Sequence, residues 1–217
     1  MIITLDGPSG TGKSTLSKLL ADELGFKLLN TGMIYRAIMY YFVANNIDCN
    51  DSDSVNNALN TINIDLKFNR NQQSVFINSE DMTPFINSKT VQKNVSIVSQ
   101  IYQVRKLIYD IQHKFAKNND MVIEGRDIGT AIFPDAEIKF YVTCDTLVRA
   151  KRRLDDLNKS SQNFSLQEVY DSLENRDLLD KSREFGPLKR PDDAIDIDTT
   201  NSTVEQSLSE LLSYIKK

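Results

Sequence analysis

Eight residues near the start of the chain have the types and spacing of a phosphate cradle. Gly7-Pro8-Ser9-Gly10-Thr11-Gly12-Lys13-Ser14 fits G-x-x-x-x-G-K-[ST] in full, and Thr15 follows it. The chain's own residue frequencies give about 0.003 such matches by chance. The chemistry asks for these types. Glycines let consecutive N–H groups turn toward phosphate oxygens, and the helix that starts behind them adds its positive end. Lys13 then reaches the β- and γ-phosphates, and the Ser14 hydroxyl can ligate Mg²⁺. The motif implies a nucleoside triphosphate site.

Arginine is the second signal. Seven of the ten arginines fall between Arg126 and Arg190. Arg149, Arg152 and Arg153 lie at i, i+3 and i+4, which puts them on one helical face. Arg176, Asp180 and Arg183 lie at i, i+4 and i+7, again one face. Like charges so placed repel, so an anion is expected against them; a solvated basic face is the plainer alternative. Guanidinium groups suit bidentate phosphate contacts and charge developing on a transferring phosphoryl group. Glu124-Gly125-Arg126-Asp127 ends an apolar run, and strand ends face the ligand crevice in open α/β sheets. The lone histidine, His113, sits on the polar surface of a helical stretch, and the chemistry does not need it.

The elements that must hold these residues alternate. An apolar run at Ile2–Asp6 precedes the loop. Leu16, Leu19, Leu20 and Leu24 recur at helical spacing up to an expected stop at Gly25, a C-cap residue type. A short strand is expected at Lys27–Asn30 and a helix over about 33–46. Residues 48–62 are helix-compatible, and 64–79 alternate in the manner of an antiparallel hairpin. A helix over 91–115, strands at Met121–Glu124, Ile138–Thr143 and 194–197, and a terminal helix over 203–217 complete the pattern. Strands alternating with helices predict a parallel α/β sheet, with the hairpin in an inserted lobe.

Composition narrows the class. A length of 217 residues with 40% hydrophobic content supports one large domain with a real core. Thirty acidic against 26 basic residues leave a net charge of −4, which argues against a nucleic-acid or membrane-surface binder. Cys49 and Cys144 are far apart and lack metal-ligand spacing, which fits a reducing compartment. The most apolar stretch, 34–44, contains Arg36 and is too short to span a bilayer, and no secretory signal is recognisable. A soluble, cytoplasmic protein is expected.

From end to end the chain resembles the bacterial cytidylate kinases. The blocks that carry the resemblance are 7–15, Thr31-Gly32-Met33-Ile34-Tyr35-Arg36, Ser99-Gln100 with Arg105, Gly125-Arg126-Asp127-Ile128-Gly129-Thr130, Arg149-Ala150-Lys151-Arg152-Arg153, and the run from Arg176 through Asp180 to Arg183. The resemblance implies a P-loop kinase fold with a five-stranded parallel sheet flanked by helices, an inserted nucleoside-monophosphate lobe with a β-hairpin, and a short helical lid. It divides the single domain into a core of about 1–60, 100–145 and 186–217, an insertion of about 61–99 and a lid of about 146–185.

It also implies roles. Residues Gly7 to Thr15 would bind ATP with Mg²⁺, the metal held through the Ser14 hydroxyl. Thr31, Tyr35 and Arg36 would line the CMP site, with Arg36 and Arg126 on its phosphate. Ser99, Arg105 and Asp127, beside Gly125, would read the cytosine. Arg176 and Asp180 would face the ribose, with Arg183 nearer the phosphate. Lys13, Arg126, Arg149, Arg153 and Arg183 would be the catalytic charges. Thr31 stands where serine is usual, and Glu124 where aspartate is usual. The implied reaction is in-line transfer of the ATP γ-phosphoryl group to CMP or dCMP by a monomer acting on small molecules, with no nucleic-acid or membrane partner. The acceptor phosphate is largely anionic at pH 7, so no general base is required. Rival readings are a UMP/CMP-type or other small-molecule P-loop kinase and, further off, a regulatory GTPase. The last should carry Asn-Lys-x-Asp, and Asn158-Lys159-Ser160-Ser161 lacks the aspartate.

Overall fold

The computed structural model describes residues 1–69, 72–159 and 164–215. Positions 70–71 of the expected hairpin, the Ser160-Ser161 pair and the last two residues of the expected terminal helix lie outside them. Two sheets form. The larger has five strands, β1 (Ile2–Asp6), β2 (Lys27–Asn30), β6 (Met121–Glu124), β7 (Ile138–Thr143) and β8 (Ile195–Asp198), in the order β2-β6-β1-β7-β8. β1 pairs in parallel with β7, and β7 with β8. The smaller is antiparallel, with β3 (Ile64–Asn69), β4 (Gln72–Ile77) and β5 (Glu80–Asp81).

By their contacts the residues group into two compact units. The first comprises Met1–Phe26 and Val122–Lys217. Its inner strands are mainly apolar, because parallel strands within a sheet are buried on both faces; Ile3, Leu5, Val122, Ile123, Phe140 and Val142 are all fully buried, while the edge strand β8 alternates Ile with exposed Asp. Helix α1 (Lys13–Leu24) buries Leu16, Leu20 and Ala21 and stops at Gly25, whose φ of 69° is the left-handed cap expected of glycine. The terminal helix α8 (Val204–Ile215) packs against α1 and β8. Helices α6 (Thr146–Lys159) and α7 (Leu166–Lys181) pack on each other through Ala150, Val169 and Leu173. A capping box between Ser165 and Glu168 starts α7.

The second unit is Lys27–Met121. Helix α2 (Thr31–Ala44) begins two residues before the expected start, because the Asn30 side chain accepts the Met33 N–H at 3.1 Å and caps it. Helix α3 (Ser52–Thr61) follows. The hairpin forms in the register Ile64↔Ile77 and Leu66↔Val75, and β5 extends it by one short strand that the sequence pattern did not signal. The helix expected over 91–115 is two helices, α4 (Lys89–Val98) and α5 (Tyr102–Ala116). The break has a local cause. The Ser99 hydroxyl and the Gln100 amide both donate to the Ser96 carbonyl, at 2.9 and 3.2 Å, and end the first helix. Strand β8 lies one residue later than expected at 195–198. No helix among the described residues is long and apolar enough to cross a membrane.

Candidate active site

The phosphate loop leaves β1 through Gly7, whose φ is 144°. A Cβ there would sit 2.1 Å from the Val142 carbonyl oxygen, so no other residue fits. Gly10 and Gly12 also hold positive φ, 80° and 90°. The loop then delivers Lys13 at the first position of α1. Its ammonium is only 5% exposed and donates to the Pro8 carbonyl and to Thr11 Oγ1 at 3.2 Å. Burial and the nearby Arg126 push its pKa well below the usual lysine value, while Glu124, Asp6 and Asp177 pull it back. Four ionisable groups of this unit therefore converge on one ammonium.

Ser14 Oγ donates to Glu124 Oε2 at 2.9 Å, so the hydroxyl at the end of the loop meets the carboxylate at the end of β6. Among the described residues no group of three or more His, Cys, Asp or Glu is placed to hold a metal ion. One hydroxyl and one carboxylate, both hard oxygen donors, are the set that suits Mg²⁺ when waters and phosphate oxygens fill the remaining positions. Glutamate in place of aspartate still reaches the serine.

Arg126 follows two residues later. Its Nε donates to Asp180 Oδ2 at 2.9 Å, and Arg183 donates to the other oxygen of the same carboxylate. Burial would raise the Asp180 pKa, but Arg126, Arg183 and Arg176 outweigh it and hold the carboxyl below its ordinary value. The same pairing raises the pKa of the half-buried Arg126 and keeps it charged. The face 176–180–183 is thus brought together with Arg126 around one carboxylate. Asp127 is buried at the head of a wide turn over Ile128–Ile132, where its carbonyl accepts from Ala131 N at 2.9 Å.

The three arginines of α6 do not act as one cluster. Arg149 is 3% exposed, pairs with Asp177 Oδ2 at 2.6 Å, and donates to the Ser9 carbonyl at 2.9 Å. Asp177 Oδ1 also accepts the Ser9 N–H at 3.4 Å, so this pair grips the phosphate loop by one residue. The Arg149 Nε is buried with no hydrogen-bond partner among the described residues. Arg152 turns instead to Thr199, donating to its carbonyl at 2.7 Å. Arg149 and Arg152 are thus each met by protein groups. Arg153 is half-buried.

The second unit holds its own group of candidate residues. Arg105 is 1% exposed; its guanidinium donates to the Ser99 carbonyl at 3.0 Å and to the Tyr109 hydroxyl at 2.9 Å, and lies 5.8 Å from the Tyr35 ring. Thr31 is buried at the first position of α2, and Arg36 reaches back toward Gly32 one turn earlier. Thr31, Tyr35 and Arg36 share α2, while Ser99 and Arg105 flank the break before α5. His113 is exposed in the last turn of α5.

Three residues of this chemistry escaped the sequence reading. Asp177 was hidden within the 176–183 run. Thr199, whose hydroxyl donates to the Thr11 carbonyl at 2.8 Å, carries no motif. Asp6 is the third; it ends β1 next to the loop, a place where a buried carboxylate is a signal in itself.

A phosphate loop at the end of the first strand of a parallel sheet, with converging arginines and a serine–carboxylate pair, defines a P-loop kinase. The fold agrees with solved structures. A shikimate kinase from Bacteroides thetaiotaomicron superposes with a TM-score of 0.51 at 15% identity, covering 100% of this chain and 99% of the other. A protein from Eubacterium ventriosum does so at 0.54 with 13% identity. The family model for cytidylate kinase matches residues 3–217. Cytidylate kinases from Clostridium botulinum (strain Loch Maree) and Fusobacterium nucleatum are 37% and 36% identical to it, over 99% and 100% of this chain and 97% and 98% of theirs. The chain belongs to the cytidylate kinase family.

Proposed function

We propose that the protein transfers the γ-phosphoryl group of ATP to CMP or dCMP, giving ADP and the nucleoside diphosphate. The observation that carries this reading is the phosphate loop with Lys13 buried inside it, in a chain matching the cytidylate kinase family over residues 3–217. In this reading residues 7–15 cradle the ATP phosphates through backbone N–H groups, with Lys13 on the β- and γ-oxygens. Ser14, with Glu124 as its hydrogen-bond partner, would hold Mg²⁺, which would supply charge neutralisation on those oxygens. Arg126, Arg149, Arg153 and Arg183 neutralise the charge that spreads over the transferring group. Thr31, Tyr35, Arg36, Ser99, Gly125, Asp127, Arg176 and Asp180 bind and orient the acceptor, with Arg105 on its base.

No side chain has to remove a proton, because the attacking oxygen belongs to a phosphate whose second ionisation lies near pH 6. Catalysis then rests on alignment and charge, which is what buried cations around a glycine loop supply. The test is Mg-ATP-dependent ADP release with CMP, dCMP, UMP, AMP and shikimate as acceptors. CMP and dCMP are expected to give the highest kcat/KM. Release that does not depend on CMP, or that is faster with shikimate, overturns the proposal.

A further inference from the structure

A carboxylate offers two oxygens, so when buried it can fasten two backbone N–H groups at once. Asp6, the last residue of β1, does this. It is fully buried, and its Oδ1 accepts the Ile128 N–H at 2.9 Å while its Oδ2 accepts the Gly129 N–H at 2.7 Å. On the other side of Arg126 and Asp127, the Gly125 N–H donates to the Leu5 carbonyl at 3.1 Å. The two functional residues are thus bracketed by attachments to the last two residues of β1. The turn packs too closely at Gly129 for any side chain there, since a Cβ would lie 2.9 Å from Thr4 Oγ1 and 3.1 Å from Pro191 Cγ.

The geometry points to Asp6 as a positioning residue for acceptor recognition: through two backbone N–H groups it sets where Arg126 and Asp127 stand beside the phosphate loop. This rests on the reading of Arg126 and Asp127 as contacts to the acceptor nucleotide. Asp6 itself touches no substrate. The residue after it is Gly7, so the same strand end fixes both the start of the loop that holds the donor and the turn that holds the acceptor. An in-line transfer needs those two held to within fractions of an ångström. An asparagine cannot replace it. Its amide has one acceptor oxygen, and its NH₂ would face one of the two N–H groups, leaving that donor buried and unmatched.

The experiment is steady-state kinetics of Asp6→Asn, with CMP varied at saturating Mg-ATP and Mg-ATP varied at saturating CMP. The CMP KM is expected to rise about ten-fold or more, with the ATP KM within about two-fold of wild type, and the CMP/UMP preference to shrink. A lower melting temperature with unchanged CMP KM and unchanged preference overturns the proposal. So does an equal rise in both KM values, which would mean that the phosphate loop has moved. If Asp6→Asn does not fold, Gly129→Ala decides, since it displaces the same turn and leaves the carboxylate in place. It should show the same CMP-selective rise, and a wild-type CMP KM overturns the proposal. CMP-dependent turnover by the wild type reports separately on the proposed function.

Discussion

A buried ammonium is costly unless anions meet it, and Lys13 is buried while Glu124, Asp6 and Asp177 surround it with negative charge. The triphosphate would complete that balance. Lys13→Ala should therefore cut kcat by about 10²–10³-fold, the usual effect of losing one donor to transition-state charge. The ATP KM should change far less, because the backbone N–H groups of the loop remain. Steady-state rates beside an unfolding curve check this, and near-normal turnover would remove Lys13 from the reaction. Asp127 allows a sharper test. A carboxylate only accepts hydrogen bonds, so it suits the 4-amino group of cytosine and opposes the 4-carbonyl of uracil. An unmatched polar group costs roughly 1–3 kcal/mol, about five- to two-hundred-fold in kcat/KM. Asp127→Asn, whose amide also donates, should erode the CMP/UMP ratio. If both rates fall together at a constant ratio, Asp127 positions the phosphate or the metal instead of reading the base.

Helices α6 and α7 show what spacing can and cannot tell. The i, i+3, i+4 pattern correctly places Arg149, Arg152 and Arg153 on one helix, yet their partners come from distant positions that no local pattern reveals. Asp177 lies 28 residues beyond Arg149 and Thr199 lies 47 beyond Arg152. The break at Ser99–Ile101 was likewise invisible to periodicity, because apolar residues keep helical spacing on both sides of it, and side-chain bonds to one carbonyl decide the stop. These contacts separate the arginines experimentally. Arg149→Ala strands the buried Asp177 carboxylate, which should cost about 3–5 kcal/mol of stability, and should also lower kcat. The double variant Arg149→Ala/Asp177→Ala should regain most of the stability and none of the turnover. Urea unfolding and initial rates of the three proteins decide. Turnover regained along with stability would make Arg149 a brace for the phosphate loop and nothing more.

At the scale of the whole molecule, the sheet, the hairpin and the phosphate loop were legible because each follows from a periodicity or a motif within a few residues. The grouping of Met1–Phe26 with Val122–Lys217 has no such local signal, since it depends on contacts between segments distant along the chain. Stability against pH is also a property of the whole chain, and here two buried carboxyls pull in opposite directions. Asp180, held below its ordinary pKa by its arginines, adds stability that appears as pH rises out of the acid range. Asp6 does the reverse. Burial raises its pKa from 3.8 to about 7, although the Gly129 and Ile128 N–H groups lower it and Asp127 and Lys13 act in opposite senses. A raised carboxyl pKa means that the folded state holds its proton longer than the unfolded chain. Its contribution is therefore full below pH 3.8 and is lost as pH climbs toward 7. At 1.36 kcal/mol per unit the loss amounts to about 4 kcal/mol at most. Wild-type unfolding free energy should thus peak on the acid side of neutrality and decline between about pH 4 and pH 7. Asparagine does not titrate, so Asp6→Asn should flatten that limb even while lowering stability throughout. Urea titrations at half-unit pH steps on both proteins measure it. A wild-type curve that stays level from pH 4 to 7, or a decline of the same size in Asp6→Asn, would place the titrating group somewhere other than Asp6.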